Sequence, residues 1–465
     1  MAFVKLTYQL EGANIVELPT AFIEKYQRLL GDEAADFLAA LQAPSQAGFR
    51  SNPLKPTLPT ATIAQAKGKI AAVPTGYYGQ VDGHSLDHVT GWVYSQEPSA
   101  MLVGEVVAPQ AGEKVLDLCA APGGKSTHLI GKMQDQGLLV ANEIFPKRAK
   151  ILAENLERWG ANQAVVTSES PDHLAPQFPQ FFDRILVDAP CSGEGMFRKE
   201  PEGIQYWHPD YPLECANRQR KILKSALQML KPGGTLVYST CTFAPEEDEQ
   251  VIAWLLDTYP ELSLVEIPKQ AGMDAGHPAW ANGNPELTKT LRLFPHHYQG
   301  EGHFIAKLQL AGEPQVSKRV KQRKGQRPSL TKEQQQYWEE FRQTVLPAYQ
   351  PERLVTVGDH LIAMPDLFPR DVKVKIVQGD VELGIFKKKR FEPSHALALA
   401  CQQARQVEIS FDDWHSYVHG DVITLTDPPT NGWYVVTCQG HHCGWGKVTG
   451  SNLKNFFPKG LRFGL

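Results

Sequence analysis

Short apolar runs alternate with amphipathic stretches through the middle of the chain, and this rhythm predicts the fold. The runs end on polar residues or glycine-rich turns, as buried strands of a parallel sheet do. Between them, apolar residues recur every three or four positions, which predicts helices. The predicted strands are 115–119, 138–143, 164–167, 183–188 and 235–240, and the predicted helices are 146–159, 216–230 and 246–259. This alternation predicts an α/β fold with a doubly wound, mainly parallel sheet.

The regions on both sides of this core have different patterns. Residues 1–100 combine helical periodicity with a segment rich in proline and threonine, and we interpret them as a small appended N-terminal domain. Residues 290–309 are typical of a hairpin that closes the core, which we place at 101–311. Residues 312–333 predict a basic linker with almost no large apolar groups; its cations are Lys318, Arg319, Lys321, Arg323, Lys324 and Arg327.

The last region, 334–465, begins with a predicted helix over 332–345 and then becomes rich in strands. Polar and apolar residues alternate over 372–376 as in a half-buried strand. Ser394 is placed to cap a helix that runs to about Ala400. Further strands at 422–425 and 433–438 complete a compact module resembling a β-barrel.

Composition narrows the class of protein. With 465 residues, 42% hydrophobic and 21% charged, the chain is an ordinary globular protein of two or three domains. No apolar run approaches the roughly 18 residues of a membrane span. The N-terminus lacks the pattern of a secretory signal. Seven scattered cysteines form no disulfide framework, which favours a reducing, cytoplasmic setting. The net charge of −4 means that any nucleic-acid surface must be local.

The first candidate site follows the strand that ends at Asp117. Small residues and glycines lead through Gly123 and Gly124 into a helix, so that a ligand can approach the backbone and the helix amides. Glu143 ends the next strand, 26 residues after Asp117, where a ribose-binding carboxylate belongs in a nucleotide-type sheet. A tight turn with an acid there by chance is the simpler interpretation, but Glu143 at this strand end and the Gly-Gly-Lys sequence together favour a cofactor site.

The second candidate site comprises two thiols at strand ends. Asp188 and Cys191 follow one predicted strand, and Cys241 follows another. A lone cysteine at a strand end is more often a small buried hydrophobe, and Cys119 fits that description. Two at separate strand ends favour a working pair. The segment 438–443 has two cysteines and two histidines, but no second ligand pair stands at finger spacing, so we predict strand and loop residues there and no metal site.

Together, these stretches closely resemble the cytosine-5 RNA methyltransferases, the family named after nucleolar proteins and Sun. The match lies in residues 117–125, 188–193 and 239–242, and the resemblance covers about 45–310. Within the family, 388–396 and 454–462 resemble the bacterial type F that acts on small-subunit rRNA. The resemblance implies a Rossmann-like methyltransferase sheet followed by a β-rich RNA-binding module of the PUA type.

The resemblance also implies roles for individual residues. S-adenosylmethionine would lie over the first motif, with Glu143 on the ribose hydroxyls and Asp188 nearby. The implied cofactor residues of that motif are Cys119, Ala120, Ala121, Pro122, Gly123, Gly124 and Lys125. Cys241 would be the nucleophile, Cys191 would help to resolve the adduct and Asp188 would bind the cytosine edge. The residue for the adenine stays open among Ser168, Glu169 and Ser170.

The chemistry explains why this family uses thiols. Carbon 5 of cytosine is a poor nucleophile, and a thiolate that adds to carbon 6 makes it electron-rich. Two alternatives remain: methylation of an exocyclic base nitrogen, for which an aromatic residue rather than Cys191 is needed, and a ribosome-assembly factor without catalysis.

The expected partner is RNA, either small-subunit rRNA or a 30S particle, bound by a monomer that contacts no membrane. Four cations at 387–390 beside Phe391 suit phosphate contact and base stacking, although a charged domain junction would have the same composition.

Overall fold

Strands and helices alternate through the core as the sequence predicts. The computed structural model describes residues 17–56, 60–313, 330–401 and 403–464. The six cations of the predicted basic linker lie outside these residues. The core strands are β5 (Lys114–Asp117), β6 (Leu138–Asn142), β7 (Ala164–Thr167), β8 (Phe182–Asp188), β9 (Leu230–Thr240), β10 (Leu262–Leu264), β11 (Asp274–Ala275), β12 (Leu291–Leu293) and β13 (His303–Leu310). The core helices are α5 (Pro98–Val107), α6 (Gly124–Lys132), α7 (Pro146–Trp159), α8 (Pro171–Leu174), α9 (Tyr211–Met229) and α10 (Glu249–Thr258).

Five of these strands form the parallel centre of the main sheet, in the order β9-β8-β5-β6-β7. The chain moves outward from β5 to β7 and then returns to place β8 on the other side of β5. The order therefore reverses between β5 and β8, and ligands of such sheets bind at this switch point, outside the carboxyl ends of the strands. The predicted doubly wound sheet is confirmed.

Antiparallel strands extend the sheet beyond β9, where β13, β12 and β11 follow in turn and β10 pairs with β13. This is the predicted closing hairpin. Apolar side chains of the sheet alternate between two buried layers. Leu116 and Val187 face the layer that contains α9 and α10, while Val115 and Leu186 face the layer of α5, α6 and α7.

Local signals account for the ends of α7. Pro146 stands at its first position, where a missing N–H costs nothing, and Gly160 closes it with a φ of 78°. Both ends lie where the sequence predicts them.

The N-terminal part has a small sheet of its own, in the order β2-β3-β1-β4. Its elements are α1 (Thr20–Leu30), α2 (Ala34–Ala40), β1 (Gly48–Ser51), α3 (Ala61–Ala64), β2 (Gly68–Lys69), β3 (Gly76–Tyr78), α4 (Leu86–Val89) and β4 (Val93–Ser95). Phe22, Tyr26 and Phe37 pack with Phe243 and Phe294 of the core. The N-terminal helices therefore cover the loop that follows β9.

The C-terminal region contains two sheets among its described residues, where the sequence predicted one barrel-like module. The first has the order β14-β15-β17-β18 and the second β19-β21-β22-β23-β20. The elements are α11 (Lys332–Val345), β14 (Arg353–Val357), β15 (His360–Met364), β16 (Ile376–Gln378), β17 (Glu382–Lys387), β18 (Arg390–Pro393), α12 (His395–Ala400), β19 (Gln406–Glu408), α13 (Phe411–His419), β20 (Ile423–Thr424), β21 (Gly432–Cys438), β22 (His441–Thr449) and β23 (Asn452–Asn455). Ser394 caps α12, as predicted.

The prediction of a strand at 372–376 is largely wrong. The observed strand is β16, which belongs to the C-terminal region in sequence but pairs antiparallel with β7 at the edge of the main sheet. Before it, the amides of Lys373 and Lys375 donate to the side chains of Gln177 and Glu169 instead of to a neighbouring strand. Alternation reveals an extended, half-exposed segment, but it does not reveal what accepts its hydrogen bonds. Among the described residues, no helix has the length and apolar composition needed to span a bilayer.

Candidate functional site

Two thiols meet at the carboxyl ends of adjacent parallel strands. The Sγ atoms of Cys191 and Cys241 are 3.3 Å apart, and both side chains are half-buried. Their closeness follows from the register, because Asp188 at the end of β8 pairs with Ser239 near the end of β9. Each cysteine comes a few residues after this pair. The predicted pairing of the two thiols is thus present in the structure.

The pKa of Cys191 is well above its usual range, chiefly because its thiol is hydrogen-bonded to Cys241 and secondarily because it is buried. Cys191 therefore tends to hold its proton. Behind it, the amide and hydroxyl of Ser192 donate to the carboxyl group of Glu247. Burial raises the pKa of Glu247 to about 8.

Asp188 forms an ion pair beside the thiols. Lys125 Nζ lies 2.8 Å from its Oδ2, and the Ser239 hydroxyl donates to its Oδ1 over 2.7 Å. Burial works against the charge on Lys125, but the attraction of Asp188 outweighs it and raises the pKa of Lys125 above its ordinary value. The ammonium group is therefore held between the glycine-rich turn and the two thiols.

The turn after β5 leaves several polar groups free to take a ligand. Gly123, with a φ of 117°, starts α6 without a side-chain cap, so the first amides of the helix are open. Asp117 accepts the Ser126 hydroxyl at Oδ2, while its buried Oδ1 has no partner among the described residues. Burial raises the pKa of Asp117 to about 7. An orphaned carboxylate oxygen beside open amides fits the ammonium and carboxylate groups of an α-amino acid.

Glu143 lies beside the same turn, at the end of β6. It is buried, and its Oε2 is 3.3 Å from Arg148 Nη1. Arg148 also donates to the carbonyl of Ala121, so that it ties the predicted ribose-binding acid to the predicted cofactor loop. The structure thus brings Glu143 and residues 119–125 together.

The candidates for the adenine are partly engaged elsewhere. One oxygen of Glu169 accepts the amide of Lys375 and the other contacts His173. The hydroxyl of Ser168 is 3.5 Å from the carbonyl of Ile144. Glu169 is therefore the poorest of the three candidates.

Comparison with known proteins decides the family. The family model described as 16S rRNA methyltransferase RsmB/F matches residues 105–309. A relative from Cronobacter sakazakii, described as ribosomal RNA small subunit methyltransferase F, is 32% identical over 96% of this chain and 96% of its own length. The chain belongs to the RsmF family.

Three further models cover the flanking regions of this RsmF family member. They are the N-terminal domain of 16S rRNA methyltransferase RsmF at 18–98, the RsmF rRNA methyltransferase first C-terminal domain at 338–401 and the methyltransferase RsmF PUA domain at 404–463. A second relative with the same description, from Vibrio campbellii, is 29% identical over 96% of this chain and 98% of its own length. The chain is accordingly an rRNA methyltransferase with S-adenosylmethionine as cofactor and with an RNA-binding PUA domain.

Solved structures agree on the fold. A methyltransferase homologue from Pyrococcus horikoshii is 30% identical, with a TM-score of 0.55, over 63% of this chain and 96% of its own. NSun6 from the same organism, solved with SFG, is 21% identical, with a TM-score of 0.52, over 63% of this chain and 99% of its own. The second likeness concerns the fold alone.

The site residues fit the cofactor of the RsmF family. Its methionine part carries the ammonium and carboxylate groups for which Asp117 and the open amides of α6 are suited, and Glu143 offers a carboxylate to a ribose. Asp117 itself was absent from the predicted contact residues. The unpartnered Oδ1 identifies it, and only the structure shows that atom.

Sequence reasoning also missed two neighbours of the site in this RsmF family member. Phe304 pairs with Thr240, so His303 lies beside Cys241 across the antiparallel register. Its Nδ1 is 3.0 Å from the Ser99 hydroxyl, and its buried Nε2 has no partner among the described residues. Burial, assisted by Lys125, lowers the pKa of His303 to about 4. Arg50 of β1 donates to the Gly124 carbonyl and the Thr127 hydroxyl, and so braces α6 from the N-terminal sheet.

One predicted RNA contact needs correction. Residues 387–390 form an exposed hairpin turn between β17 and β18, as phosphate contact requires. Phe391 is buried against Trp338 and Phe341, so it cannot stack on a base. Its apolar surface is used in the first C-terminal sheet.

The 438–443 segment belongs to β21, β22 and the turn between them, as predicted. His441 Nε2 lies 3.1 Å from Asp87 of α4, and the Cys443 thiol donates to the carbonyl of His441. The contact between His441 and Asp87 joins the PUA domain to the N-terminal part.

Proposed function

We propose that this enzyme methylates carbon 5 of a cytosine in small-subunit rRNA through a covalent adduct with Cys241. The observation that carries the proposal is the 3.3 Å separation of the two thiols at a strand-end site that also contains Asp188 and Lys125. An enzyme that methylates an exocyclic nitrogen has no use for two thiols at this place. It needs an aromatic side chain where Cys191 stands.

The chain's own groups account for the formation of the adduct. The Cys241 thiolate adds to carbon 6 of the ring and a C–S bond forms, which makes carbon 5 nucleophilic. Asp188 binds the N3 and amino edge of the cytosine, where its carboxylate accepts a hydrogen bond from the exocyclic amino group, and Lys125 keeps Asp188 in place for this contact. Bound S-adenosylmethionine supplies the electrophilic methyl group.

Resolution of the adduct follows from the state of Cys191. Once the Cys241 sulfur is part of a thioether, it no longer forms the hydrogen bond between the two thiols that the structure shows. The chief cause of the raised pKa of Cys191 is then removed, so Cys191 can release its own proton to solvent and afterwards accept the proton from carbon 5. The electrons of that C–H bond reform the double bond and expel the Cys241 sulfur.

The remaining site assignments and partners belong to the same proposal. Residues 119–125, Glu143 and Asp188 surround the cofactor, and the exposed cations at 387–390 contact RNA phosphates. The substrate is the small-subunit rRNA or a 30S particle, met in the cytoplasm by a monomer. The cytosine is flipped out of its stack to reach Cys241. We divide the chain at 1–100, 101–311, 312–333 and 334–465, and the matched ranges of the family models support this division.

The test is to trap the adduct with the full-length enzyme, S-adenosylmethionine and a small-subunit rRNA transcript. The Cys191→Ala variant should accumulate an RNA adduct that survives a denaturing gel, because the C5 proton is no longer removed. The double variant with Cys241→Ala should form none. Cys438→Ala, which removes a thiol from the PUA domain, serves as the matched control and should behave as the wild type. If the Cys191→Ala and Cys241→Ala variants both methylate RNA and neither traps it, the two-thiol mechanism is wrong.

A further inference from the structure

Three potential metal ligands meet where the N-terminal helices touch the core. Glu33 ends the short turn between α1 and α2, while His296 and His297 follow β12. Glu33 Oε2 lies 3.5 Å from His296 Nε2 and 3.8 Å from His297 Nε2, and the three ligand atoms all lie within 4.8 Å of one another. Residues far apart in the chain thus present two imidazoles and a carboxylate to one point.

The spacing of these atoms suits a tetrahedral ion. Zinc bound at about 2.0–2.1 Å places neighbouring ligand atoms roughly 3.3–3.4 Å apart, along the edges of a tetrahedron. The two distances from Glu33, 3.5 Å to His296 and 3.8 Å to His297, exceed this by about 0.1–0.5 Å. Small side-chain rotations are enough to close them.

Hydrogen bonding gives a second, independent observation that points to a ligand at this place. The His296 side chain is only 5% exposed, and neither of its ring nitrogens has a hydrogen-bond partner among the described residues. His297 Nδ1 lies 2.9 Å from Asp274 Oδ2, so this nitrogen carries the proton and donates to the carboxylate. The other ring nitrogen of His297, Nε2, is turned to Glu33 and lies 3.8 Å from its Oε2. The buried imidazole of His296, whose nitrogens have no hydrogen-bond partner among the described residues, therefore stands beside two further potential ligand atoms.

We propose that Glu33, His296 and His297 bind one Zn²⁺ ion, with Asp274 as the group that orients His297. Imidazole nitrogens favour zinc and related transition metals, whereas Mg²⁺ and Ca²⁺ take oxygen ligands. A carboxylate on the second nitrogen of a ligating histidine is a common feature of zinc sites. The fourth position is left to water.

The ion links the N-terminal helices to the catalytic core. The ring of His296 packs against Phe37 of α2 and against Phe294, which itself stacks on Phe243 two residues after Cys241. Zinc at this place therefore fixes the helices that cover the nucleophile's loop. This role is separate from the methyl transfer.

The experiment measures zinc binding by the full-length protein after chelation and dialysis. Titration with Zn²⁺ alone should show one tightly bound zinc ion per protein molecule (one tight equivalent), and the Glu33→Gln and His297→Gln variants should not bind it. Glu33 is exposed and His297 partly so, which means that these variants keep the buried aromatic contacts. Asp274→Asn should bind the ion about 10–100-fold more weakly, because a second-shell partner is lost. His360→Gln, which alters an exposed histidine paired with Glu382, should bind as the wild type does.

Thiols are the main competitor for zinc, so a second arm removes them. The Cys191→Ser/Cys241→Ser protein should keep the tight equivalent, and its Co²⁺ form should show visible d–d bands without a thiolate charge-transfer band. Zinc should raise the melting temperature of the wild type but not that of Glu33→Gln. The proposal is overturned if the wild type binds no tight zinc, or if the zinc depends on the two cysteines and not on Glu33 and His297.

Discussion

Replacing Arg292 by methionine is expected to destabilise the catalytic core and loosen the loop that carries Cys241. Arg292 is fully buried, and its guanidinium group donates to both oxygens of Glu249, at 2.7 and 2.5 Å. It also lies 2.9 Å from Asp248 and donates to the carbonyl of Phe243. Since Thr240 donates to Asp248, both ends of the loop around Cys241 are connected to this one side chain.

The magnitude follows from the charges left behind. Breaking a buried ion pair by removing one partner costs about 3–5 kcal/mol, because the other charge stays buried without compensation. Burial raises the pKa of Asp248 well above its usual range. Glu249, which takes two hydrogen bonds from the guanidinium group, is the residue that chiefly loses its partner. A domain of this size loses about 2–4 °C per kcal/mol, so the melting temperature should fall by about 6–20 °C.

Thermal unfolding followed by tryptophan fluorescence provides the assay, since Trp280 stacks on the guanidinium at 4.9 Å and reports on this place. The double variant Arg292→Met/Glu249→Met should recover much of the loss, because the unpaired charge is gone. Arg390→Met, which removes an exposed pair with Glu392, should melt within about 1 °C of the wild type. If Arg292→Met melts as high as Arg390→Met, or if the double variant is worse than the single one, the reasoning is refuted.

Three further predictions concern pH and RNA. Burial raises the pKa of Asp117 in the folded state to about 7, so the wild type loses stability as the pH rises from the ordinary carboxyl range to 7. At pH 8 the Asp117→Asn variant should therefore melt at a higher temperature than the wild type, yet bind S-adenosylmethionine more weakly in calorimetry. Equal melting temperatures would contradict this. Hydrogen bonds from His441 and Thr62 outweigh burial and lower the pKa of Asp87 to about 2. The contribution of Asp87 to the free energy of unfolding is present above the ordinary carboxyl pKa and should disappear as the pH falls through the lowered pKa. In urea titrations at acid pH, Asp87→Asn should show a smaller loss of stability than the wild type. The double variant Lys388→Ala/Lys389→Ala should bind rRNA more weakly, and the slope of log affinity against log salt concentration should become shallower by about 1–2 in filter binding at several KCl concentrations. An unchanged slope, or an equal effect of Lys332→Ala, would exclude the hairpin as a phosphate contact.

The catalytic sheet could be predicted because its signals are local. Short apolar runs separated by helical periodicity define a parallel sheet, and Pro146 and Gly160 limit α7 by their own backbone preferences. Cys191 and Cys241 could be paired for the same reason, since the carboxyl ends of neighbouring parallel strands meet at one edge. The separate roles proposed for them came from the resemblance to the cytosine-5 RNA methyltransferases.

What escaped prediction depends on contacts between distant segments. His303 lies beside Cys241 only through the antiparallel register of β13 on β9, and no local pattern encodes that register. Phe391 follows four cations and is nevertheless buried, because Trp338 and Phe341 need a partner. Glu33 and His296 stand in segments with no ligand spacing, so the sequence alone offers no sign that they meet.

The pairing of β16 with β7 has a consequence for how the enzyme is made. The main sheet receives this edge strand from residues 376–378, long after Cys241 and the glycine-rich turn at 119–125 have left the ribosome. Until then, β7 presents unpaired backbone groups, which are a template for association with other chains. A fragment that ends after β13 should therefore aggregate even though it contains every proposed catalytic residue. On this argument the C-terminal region protects the edge of the main sheet from association, in addition to binding RNA.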